Sequence, residues 1–270
     1  MTQNSLADTL DLSGRSVIVT GSTSGIGKAM ADALAYAGCN VMLNGFGDAN
    51  EIEAARKELA DRSGRKIAYS GADLTNVEAI EGMFEEARAA FGTVDGVVNN
   101  AGVQHVSPVE EFPVAKWDLI IALNLTAAFH TTRLAFRDMK AQKWGRIINL
   151  CSAHGLVASP FKSAYVAAKH GVIGLTKTTA LEGAEFGVRA NAVCPGYVRT
   201  PLVEAQIGDT AKARGITEDE VVRDVLLAAQ PTKEFVTVEE ISSFVCFLMS
   251  DAARSINGAE LKIDGGWTAQ

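Results

Sequence analysis

Short apolar runs alternate with longer amphipathic segments along most of this 270-residue chain. The apolar runs do not alternate cleanly between apolar and polar positions, which is typical of parallel strands that are buried on both faces. They predict seven β-strands, at residues 16–19, 40–43, 66–69, 94–98, 146–150, 188–193 and 259–263.

The amphipathic segments between these runs have the spacing of helices that bury one face. A chain that alternates strand and helix forms right-handed crossovers, and repeated crossovers build a doubly wound parallel sheet. We therefore predict an α/β fold of the Rossmann type, with about seven parallel strands flanked by helices. No linker rich in proline, glycine or serine interrupts the pattern, so residues 1–270 are predicted to form a single domain. Helices are predicted at 28–37, 50–62, 77–91 and 115–141.

Residues 200–231 break this rhythm, since they are mixed in charge and only weakly periodic. The segment follows the turn Pro195-Gly196, at the end of the sixth predicted strand. A long excursion from a compact sheet is often a lid over a site, although an exposed helical hairpin has the same sequence pattern. The hypothesis is a helical substrate lid, with the hairpin as its alternative.

Composition and charge limit the partners of this chain. It has 32 acidic and 25 basic residues, a net charge of −7, which argues against nucleic acid or an anionic membrane as the main partner. The four cysteines are scattered without metal-ligand spacing, so we expect free thiols in a reducing compartment and no metal site. The chain shows no signal-peptide pattern and no uninterrupted apolar run of about 18 residues, and a cytoplasmic location is therefore expected.

A glycine-rich loop follows the first predicted strand and precedes the first helix. Its sequence, TGSTSGIG, places glycines at positions 21, 25 and 27. Glycines let a backbone approach a pyrophosphate closely, and the next helix directs its free N–H groups and positive dipole end at that charge. The spacing departs from GxGxxG, but the position between strand and helix predicts dinucleotide binding.

The end of the second predicted strand bears on the choice of dinucleotide. It carries Asn44 where an acidic residue usually binds the ribose 2′-hydroxyl of NAD. However, no arginine or lysine stands there to hold a 2′-phosphate, and the glycine-rich loop carries Ser24 where a basic residue would serve. A nearby Asp48 would also repel that phosphate. We therefore predict NAD in preference to NADP.

Tyr165 and Lys169 lie four residues apart in YVAAK, a spacing that puts both on one face of a helix. A nearby ammonium stabilises a tyrosinate, so such a tyrosine can accept a proton from an alcohol or return it to a ketone. Ser152 follows the fifth predicted strand, and NNAG at 99–102 follows the fourth, at the sheet edge where doubly wound folds bind ligands. The combination predicts an oxidoreductase for a small alcohol or ketone.

The ordered motifs resemble the short-chain dehydrogenase/reductase family along nearly the whole chain. They are TGSTSGIG, Asp73-Leu74, NNAG, Asn124, Ser152, YVAAK and Pro195-Gly196. The resemblance implies that Tyr165 is the general acid/base, that Lys169 binds the nicotinamide ribose and supports the tyrosine, and that Ser152 positions the substrate oxygen. It also implies that Asn124 holds a water in a proton relay, although an asparagine within a helix can instead bond the backbone and kink it.

The same resemblance implies a set of cofactor contacts. Asp73 would bind the adenine, Asn99 would lie along the cofactor, and Thr200 would face the nicotinamide carboxamide. The full set is Gly21, Thr23, Ser24, Gly25, Ile26, Phe46, Asp73, Leu74, Asn99, Ala101, Gly102, Tyr165, Lys169, Pro195, Gly196, Val198 and Thr200.

Further polar residues near these motifs point to the substrate. A lysine with amide and imidazole donors suits a small carboxylate, and Trp267 can form an apolar wall. The residues concerned are Gly45-Phe46-Gly47, Gln104, Ser152-Ala153-His154, Lys162, Gln206 and Trp267. Within the family, they resemble those of D-3-hydroxybutyrate dehydrogenases. This resemblance implies NAD-linked, reversible oxidation of (R)-3-hydroxybutyrate to acetoacetate, with the carboxylate held by Gln104, His154, Lys162 and Gln206. Family resemblance also implies a homotetramer. The predicted substrate contacts are Gln104, Ser152, His154, Lys162, Tyr165, Gln206 and Trp267.

Two other functions remain open at this point. One is an NADPH-linked ketoreductase for an acyl-carrier, steroid or sugar substrate. Such an enzyme would need a basic residue near Ser24 or Gly45 to bind the 2′-phosphate. The other is a module that senses nucleotides and has lost its chemistry, since a fold alone does not establish function. The complete set of Asn124, Ser152, Tyr165 and Lys169 argues for catalysis.

Overall fold

A computed structural model describes residues 9–200, 203–204, 207–208, 211 and 215–269. Its strands are β1 Ser16–Val19, β2 Asn40–Asn44, β3 Ile67–Ser70, β4 Gly96–Asn99, β5 Gly145–Leu150, β6 Val188–Pro195 and β7 Glu260–Ile263. They form one parallel sheet in the order β3-β2-β1-β4-β5-β6-β7. The order reverses between β1 and β4, where doubly wound sheets bind ligands. The predicted doubly wound α/β fold is confirmed.

The strand bounds agree with the prediction to within two residues at each end. The largest differences are in β4 and β6. Asp95 comes before β4 and its carboxylate accepts a hydrogen bond from the Ser16 backbone N–H at 2.8 Å. Strand β6 extends to Pro195 because this residue pairs with Ile263 of β7. An apolar pattern does not contain these pairings, so it places the strand and leaves its ends approximate.

Helices cover both faces of the sheet. In the described part of the chain, those of eight or more residues are α1 Gly25–Tyr36, α2 Ala49–Ser63, α3 Val77–Phe91, α4 Val114–Ile121, α5 Ala127–Gln142, α6 Ser163–Gly183 and α7 Val238–Met249. Shorter helical turns are Val109–Glu111, Ala153–Gly155, Ala184–Phe186, Glu218–Glu220, Val221–Leu226, Leu227–Ala229, Asp251–Ala253 and Trp267–Ala269. Side-chain oxygens of Asp48, Asn76 and Thr237 cap α2, α3 and α7 and so fix where these helices begin.

Both faces of the sheet are buried, as the apolar runs predicted. Along β1, Val17 and Val19 belong to the apolar cluster that α1 and α7 complete, whereas Ile18 belongs to the cluster on the opposite face with α3 and α5. Successive side chains of a strand point to opposite faces, so each residue of β1 is covered. The sheet is therefore a rigid support for the loops at its carboxyl edge.

The single helix predicted at 115–141 is interrupted at its centre. Helix α4 passes into α5 through a π-helical turn, Ala122–Thr126. In this turn the Asn124 side chain accepts a hydrogen bond from the Val103 N–H and donates one to the Val103 carbonyl oxygen, both at 2.9 Å. Wide turns of this kind are frequent at functional sites. The amphipathic pattern did not reveal it, because the residues on either side keep helical spacing.

Helix α4, its π-helical turn and α5 together form the segment Val114–Gln142, which is long and apolar enough to cross a membrane by length and composition alone. Core helices pass the same test. The face toward the sheet buries Ala127, Ala128, Ala135 and Met139. Packing on the sheet therefore accounts for part of the apolar composition of this segment.

The segment predicted as a lid, residues 200–231, is described only in part. Its residues Ile207, Val221 and Leu226 form an apolar cluster of their own, against which Tyr197 packs. The predicted substrate contact Gln206 lies outside the described residues. The described part of the segment thus packs beside the end of β6, and its action as a lid stays a prediction.

Candidate active site

A cleft of about 520 Å³ opens at the carboxyl ends of the strands, at the switch point between β1 and β4. Its walls come from the loops after β1 to β6, together with Leu123 of the π-helical turn, the start of α6 and Trp267. A volume of this size is within the range of cofactor and small-molecule sites. The sheet thus gathers residues from distant parts of the chain at one edge.

Glycine is needed at each of three positions in the loop after β1, for a different structural reason at each. Gly21 has a φ of 63°, and a β-carbon there would lie 2.9 Å from Cα of Ala101. A β-carbon on Gly27 would lie 2.1 Å from the Gly21 carbonyl oxygen. Gly25 has a φ of 54° and open space around it, where a β-carbon would take up room. The loop therefore needs glycine both to pack and to leave space for a ligand.

The first turn of α1 is open toward a ligand. Ser24 precedes this helix without a side-chain hydrogen bond to it, and the first turn contains no acidic residue. The N–H groups of the turn and the positive end of the helix dipole are therefore available to an anion. This arrangement fits the pyrophosphate of a dinucleotide.

The loop after β2 is fastened to its neighbours by Asn44. The Asn44 amide donates to the carbonyl oxygens of Ser70 and Ala72 at 3.1 and 3.0 Å. A β-carbon on Gly45 would lie 2.5 Å from Oγ1 of Thr23, so the loops after β1 and β2 touch. Asn44 is therefore a structural residue at the strand tip where an acidic residue would otherwise bind a ribose.

Few charged residues lie near the end of the cleft that is formed by the loop after β2. Asp48 caps α2 by accepting from two backbone N–H groups and does not line the cleft. Among the described lining residues the cations are Lys162 and Lys169, both at the start of α6 and not beside the loop that carries Phe46. Among the residues that the structure describes, none that lines this part of the cleft would give a 2′-phosphate a cationic partner.

Helix α6 presents Tyr165 and Lys169 to the same cleft. The Lys169 ammonium nitrogen lies 5.6 Å from the centroid of the Tyr165 ring and donates to the Leu150 carbonyl oxygen at 2.8 Å. Lys169 is only 5% exposed, so water screens its charge weakly. The four-residue spacing therefore places a fixed cation beside the phenol, as predicted.

Ser152 and Asn124 occupy different positions near this pair. Ser152 lines the cleft, and its Oγ accepts from the His154 N–H at 3.2 Å, which leaves the hydroxyl proton for another partner. Asn124 lies outside the main cleft and lines, with Lys169, a cavity of about 10 Å³, the size of one water molecule. Its side chain bonds the backbone of Val103 in the loop after β4, and the cavity has room for one water molecule. A water relay through Asn124 stays a prediction.

The buried His154 and the partly buried Lys162 form a polar pair near Tyr165. The Lys162 ammonium nitrogen lies 3.2 Å from Nε2 of His154. An ammonium can only donate, so Nε2 accepts and the ring carries its proton on Nδ1. Burial, together with the charge of Lys162, lowers the pKa of His154 from 6.5 to about 4. The sequence hypothesis expected an imidazole donor for a carboxylate, whereas this nitrogen is an acceptor that holds Lys162.

An aromatic wall, formed by Tyr197 and Trp267, closes one side of this region. The two rings are stacked, with centroids 5.5 Å apart and planes at 8°. Trp267 also meets His154 edge to face at 5.0 Å. Burial and the neighbouring Tyr165 raise the pKa of Tyr197. Tyr197 is not among the site residues predicted from the sequence, although its place directly after the Pro195-Gly196 turn is a usable signal.

The cleft brings most of the predicted site residues together. Two predicted cofactor contacts, Asp73 and Asn99, do not line it. The Asp73 carboxylate accepts from Thr75, and the Asn99 side chain is buried against Asn149 and Thr131. The predicted residues in the lining are Gly21, Thr23, Ser24, Gly25, Ile26, Phe46, Leu74, Ala101, Gly102, Gln104, Ser152, His154, Lys162, Tyr165, Lys169, Pro195, Gly196, Val198, Thr200 and Trp267.

The proton state of His154 predicts how stability depends on pH. Its pKa in the folded protein lies below the ordinary value of 6.5, so the unfolded chain takes up this proton first as the pH falls. The contribution to the free energy of unfolding is complete above pH 6.5 and declines by roughly 3 kcal/mol as the pH falls to about 4. His154→Gln keeps an acceptor for Lys162 but cannot titrate, so we expect a weaker pH dependence.

Urea unfolding at pH 7 and pH 5, at one protein concentration, measures this difference. From pH 7 to pH 5, the free energy of unfolding of the wild type should fall by roughly 2 kcal/mol more than that of His154→Gln. His170→Gln is the matched control, because His170 is an exposed histidine of α6 and its replacement should leave the difference between the two pH values as in the wild type. Equal pH dependence in wild type and His154→Gln would show that His154 is not held neutral.

The chain is similar to known proteins along nearly its whole length. Residues 15–210 match the short chain dehydrogenase family. The chain is 55% identical over 256 residues to D-beta-hydroxybutyrate dehydrogenase of Rhizobium meliloti (strain 1021), covering 95% of this chain and 99% of that protein. The enzyme of the same name from Cupriavidus necator is 53% identical over 260 residues, covering 96% and 100%. The crystal structure of gox2181 has a TM-score of 0.88 at 30% identity, covering 97% and 98%.

Proposed function

Because this chain belongs to the short-chain dehydrogenase family, we propose that it catalyses the reversible oxidation of (R)-3-hydroxybutyrate to acetoacetate with NAD. The observation that carries the proposal is the partly buried pair of Lys162 and His154 in the same cleft as Tyr165. It places a cation for a small carboxylate near a group that can transfer a proton. The names of the relatives from Rhizobium meliloti and Cupriavidus necator support the same substrate.

In the proposed mechanism the protein supplies proton transfer and orientation. NAD, when bound, would supply the acceptor for the hydride that leaves the carbon carrying the substrate hydroxyl. Ionised Tyr165 takes the hydroxyl proton, and the Lys169 ammonium beside the ring stabilises the phenolate before transfer. Ser152 donates its hydroxyl proton to the substrate oxygen and so holds it at Tyr165. In the reverse direction Tyr165 returns the proton to the ketone oxygen.

The residues that line the cleft support NAD as the cofactor in this proposal. The open first turn of α1 and the glycines before it would hold the pyrophosphate. The absence of a lining cation beside Phe46, among the residues that the structure describes, favours NAD over NADP. Adenine binding by Asp73 and a cofactor contact from Asn99 stay predictions.

The substrate carboxylate would take its charge partner from Lys162. Gln104, which also lines the cleft, would add an amide donor. Gln206, another of the four predicted carboxylate partners, lies outside the described residues. His154 would act through Lys162 by holding its ammonium in place. The aromatic wall on the other side of His154 would pack against the short apolar end of the substrate.

The function is tested by an assay of (R)- and (S)-3-hydroxybutyrate side by side, each with NAD and NADP. We expect oxidation of the (R) acid, with kcat/KM for NAD at least about tenfold above that for NADP, a difference of about 1.4 kcal/mol. Preference for NADP(H) with a larger neutral ketone would indicate the ketoreductase alternative. NADH binding without turnover of any hydroxy acid would indicate a nucleotide-sensing module.

The assembly and location are also proposals. We propose a homotetramer in the cytoplasm, as the family resemblance implies. The exposed apolar side chains of Val114, Trp117 and Phe129 on α4 and α5 support self-association, because exposed apolar surface often marks an interface. A monomer in sedimentation equilibrium would contradict the assembly.

A further inference from the structure

A buried glutamine, Gln230, lies behind the aromatic wall. It is 0% exposed. Its side-chain oxygen accepts from the Tyr197 backbone N–H, and its amide nitrogen donates to the Glu234 carbonyl oxygen at 2.6 Å. A buried amide is costly unless its donor and acceptor are paired, so these bonds fix both the glutamine and its partners.

The glutamine is also packed between the two loops that carry the wall. A β-carbon on Gly196, the residue before Tyr197, would lie 2.4 Å from the Gln230 side-chain oxygen. A β-carbon on Gly265, two residues before Trp267, would lie 3.4 Å from the Gln230 side-chain nitrogen. Both loops therefore approach the same amide group, and glycine permits the approach.

The Trp267 side of the wall has a second support. The buried Asp264 carboxylate accepts from the backbone N–H groups of Gly266 and Thr268, both at 3.0 Å. The Gly265 carbonyl oxygen accepts from the Thr232 N–H at 3.2 Å. The loop after β7 is thus tied to the chain just after Gln230, and the Tyr197 loop is tied to Gln230 itself.

From these contacts, and resting on the proposed function, we propose that Gln230 is a positioning residue that holds the aromatic wall and thereby restricts the cleft to short hydroxy acids. Gln230 reaches neither substrate nor cofactor, since it does not line the cleft. Its effect passes through the Tyr197 backbone to the ring that stacks on Trp267.

If Gln230 holds the aromatic wall, its replacement should change the selectivity for substrate chain length and leave kcat nearly unchanged. When the Tyr197 N–H loses its partner, the ring is free to shift and the apolar end of the cleft becomes longer. One methylene in an apolar pocket changes kcat/KM by roughly 10–200-fold, so a wall that moves should reduce that discrimination. The proton-transfer pair of Tyr165 and Lys169 lies on another element, and kcat should be retained.

Two substitutions test the proposal. Gln230→Met keeps the length of the side chain and removes both hydrogen bonds, whereas Gln230→Asn keeps the amide and withdraws it by one methylene. For both, the ratio of kcat/KM for 3-hydroxybutyrate to that for 3-hydroxyhexanoate should fall about tenfold, with kcat for 3-hydroxybutyrate within about threefold of wild type. Gln142→Met, at an exposed glutamine of α5, is the matched control and should change neither value.

A second readout does not need activity. The stacked rings should give a near-ultraviolet circular dichroism band, which Trp267→Phe identifies by its loss. We expect both Gln230 variants to weaken that band. If the wild type oxidises neither acid, the proposed function fails while this measurement still tests the wall. An unchanged kcat/KM ratio and an unchanged circular dichroism band in a folded variant would overturn the proposal. Loss of folding in both variants would also overturn it, because Gln230 would then contribute to general stability.

Discussion

Replacing Tyr165 by phenylalanine is expected to lower kcat for 3-hydroxybutyrate about 1,000-fold, because positioned acid–base groups contribute about 10²–10⁴ in rate. The substitution removes a single oxygen atom from the cleft and leaves a ring of the same shape beside His154. Without the phenol oxygen, the substrate proton must pass to water, which is a much weaker base than tyrosinate. Lys169 has no other means of reaching this proton, since its ammonium donates to the Leu150 carbonyl oxygen.

Steady-state kinetics and a fluorescence titration with NADH separate chemistry from binding. The dissociation constant for NADH should stay within about threefold of wild type, since the loop after β1 and Lys169 are untouched. Tyr36→Phe is the matched control, because Tyr36 is 52% exposed at the end of α1 and should keep full turnover. A Tyr165→Phe enzyme with more than about a tenth of wild-type kcat would show that another group transfers the proton.

The fold was largely predictable because its determinants are local in the sequence. Strand β1 occupies the predicted residues 16–19. A short run of apolar residues is typical of a strand that is buried on both faces in the middle of a sheet. Helix α3 occupies the predicted residues 77–91, because Asn76 caps its first turn and Gly92 follows its last. Periodicity and helix-terminal residues are both visible in a single sequence.

The proton-transfer pair was predictable for a related reason. The distance between Tyr165 and Lys169 follows from helix geometry, and the position of Ser152 follows from the rule that parallel strands end at one edge. Neither inference needs a contact between distant segments. The placement of Asn99 was harder, since a polar residue at a strand end can face the cleft or the core. Here it bonds Asn149 of the next strand inside the core.

Polar contacts between distant segments could not be predicted in this way. The bond from Lys162 to His154 depends on the turn between β5 and α6, and the π-helical turn depends on a bond from Asn124 to the loop after β4. Hydrophobic periodicity describes which face of an element is buried, and it contains no information about which donor meets which acceptor. The acceptor role of His154 therefore became visible only from the coordinates.

Lys162→Met should raise KM for 3-hydroxybutyrate about 100-fold and change kcat much less, because a carboxylate binds its cation equally in the ground state and the transition state. The loss corresponds to about 2.7 kcal/mol, within the range for breaking a buried charged hydrogen bond. Methionine keeps the apolar stem of the lysine, so the change isolates the charge. His154 does not replace this charge, because burial is the largest cause of its lowered pKa and is still present when Lys162 is replaced.

A neutral substrate distinguishes lost charge from a damaged cleft. An ester of acetoacetate carries the same ketone without the carboxylate, so its KM in the reduction assay should differ by less than about threefold between wild type and Lys162→Met. Lys57→Met, at an exposed lysine of α2, should leave both KM values unchanged. If the KM for 3-hydroxybutyrate does not rise, Lys162 does not bind the carboxylate. If the KM for the ester rises equally, the lysine shapes the cleft and its charge does not select the substrate.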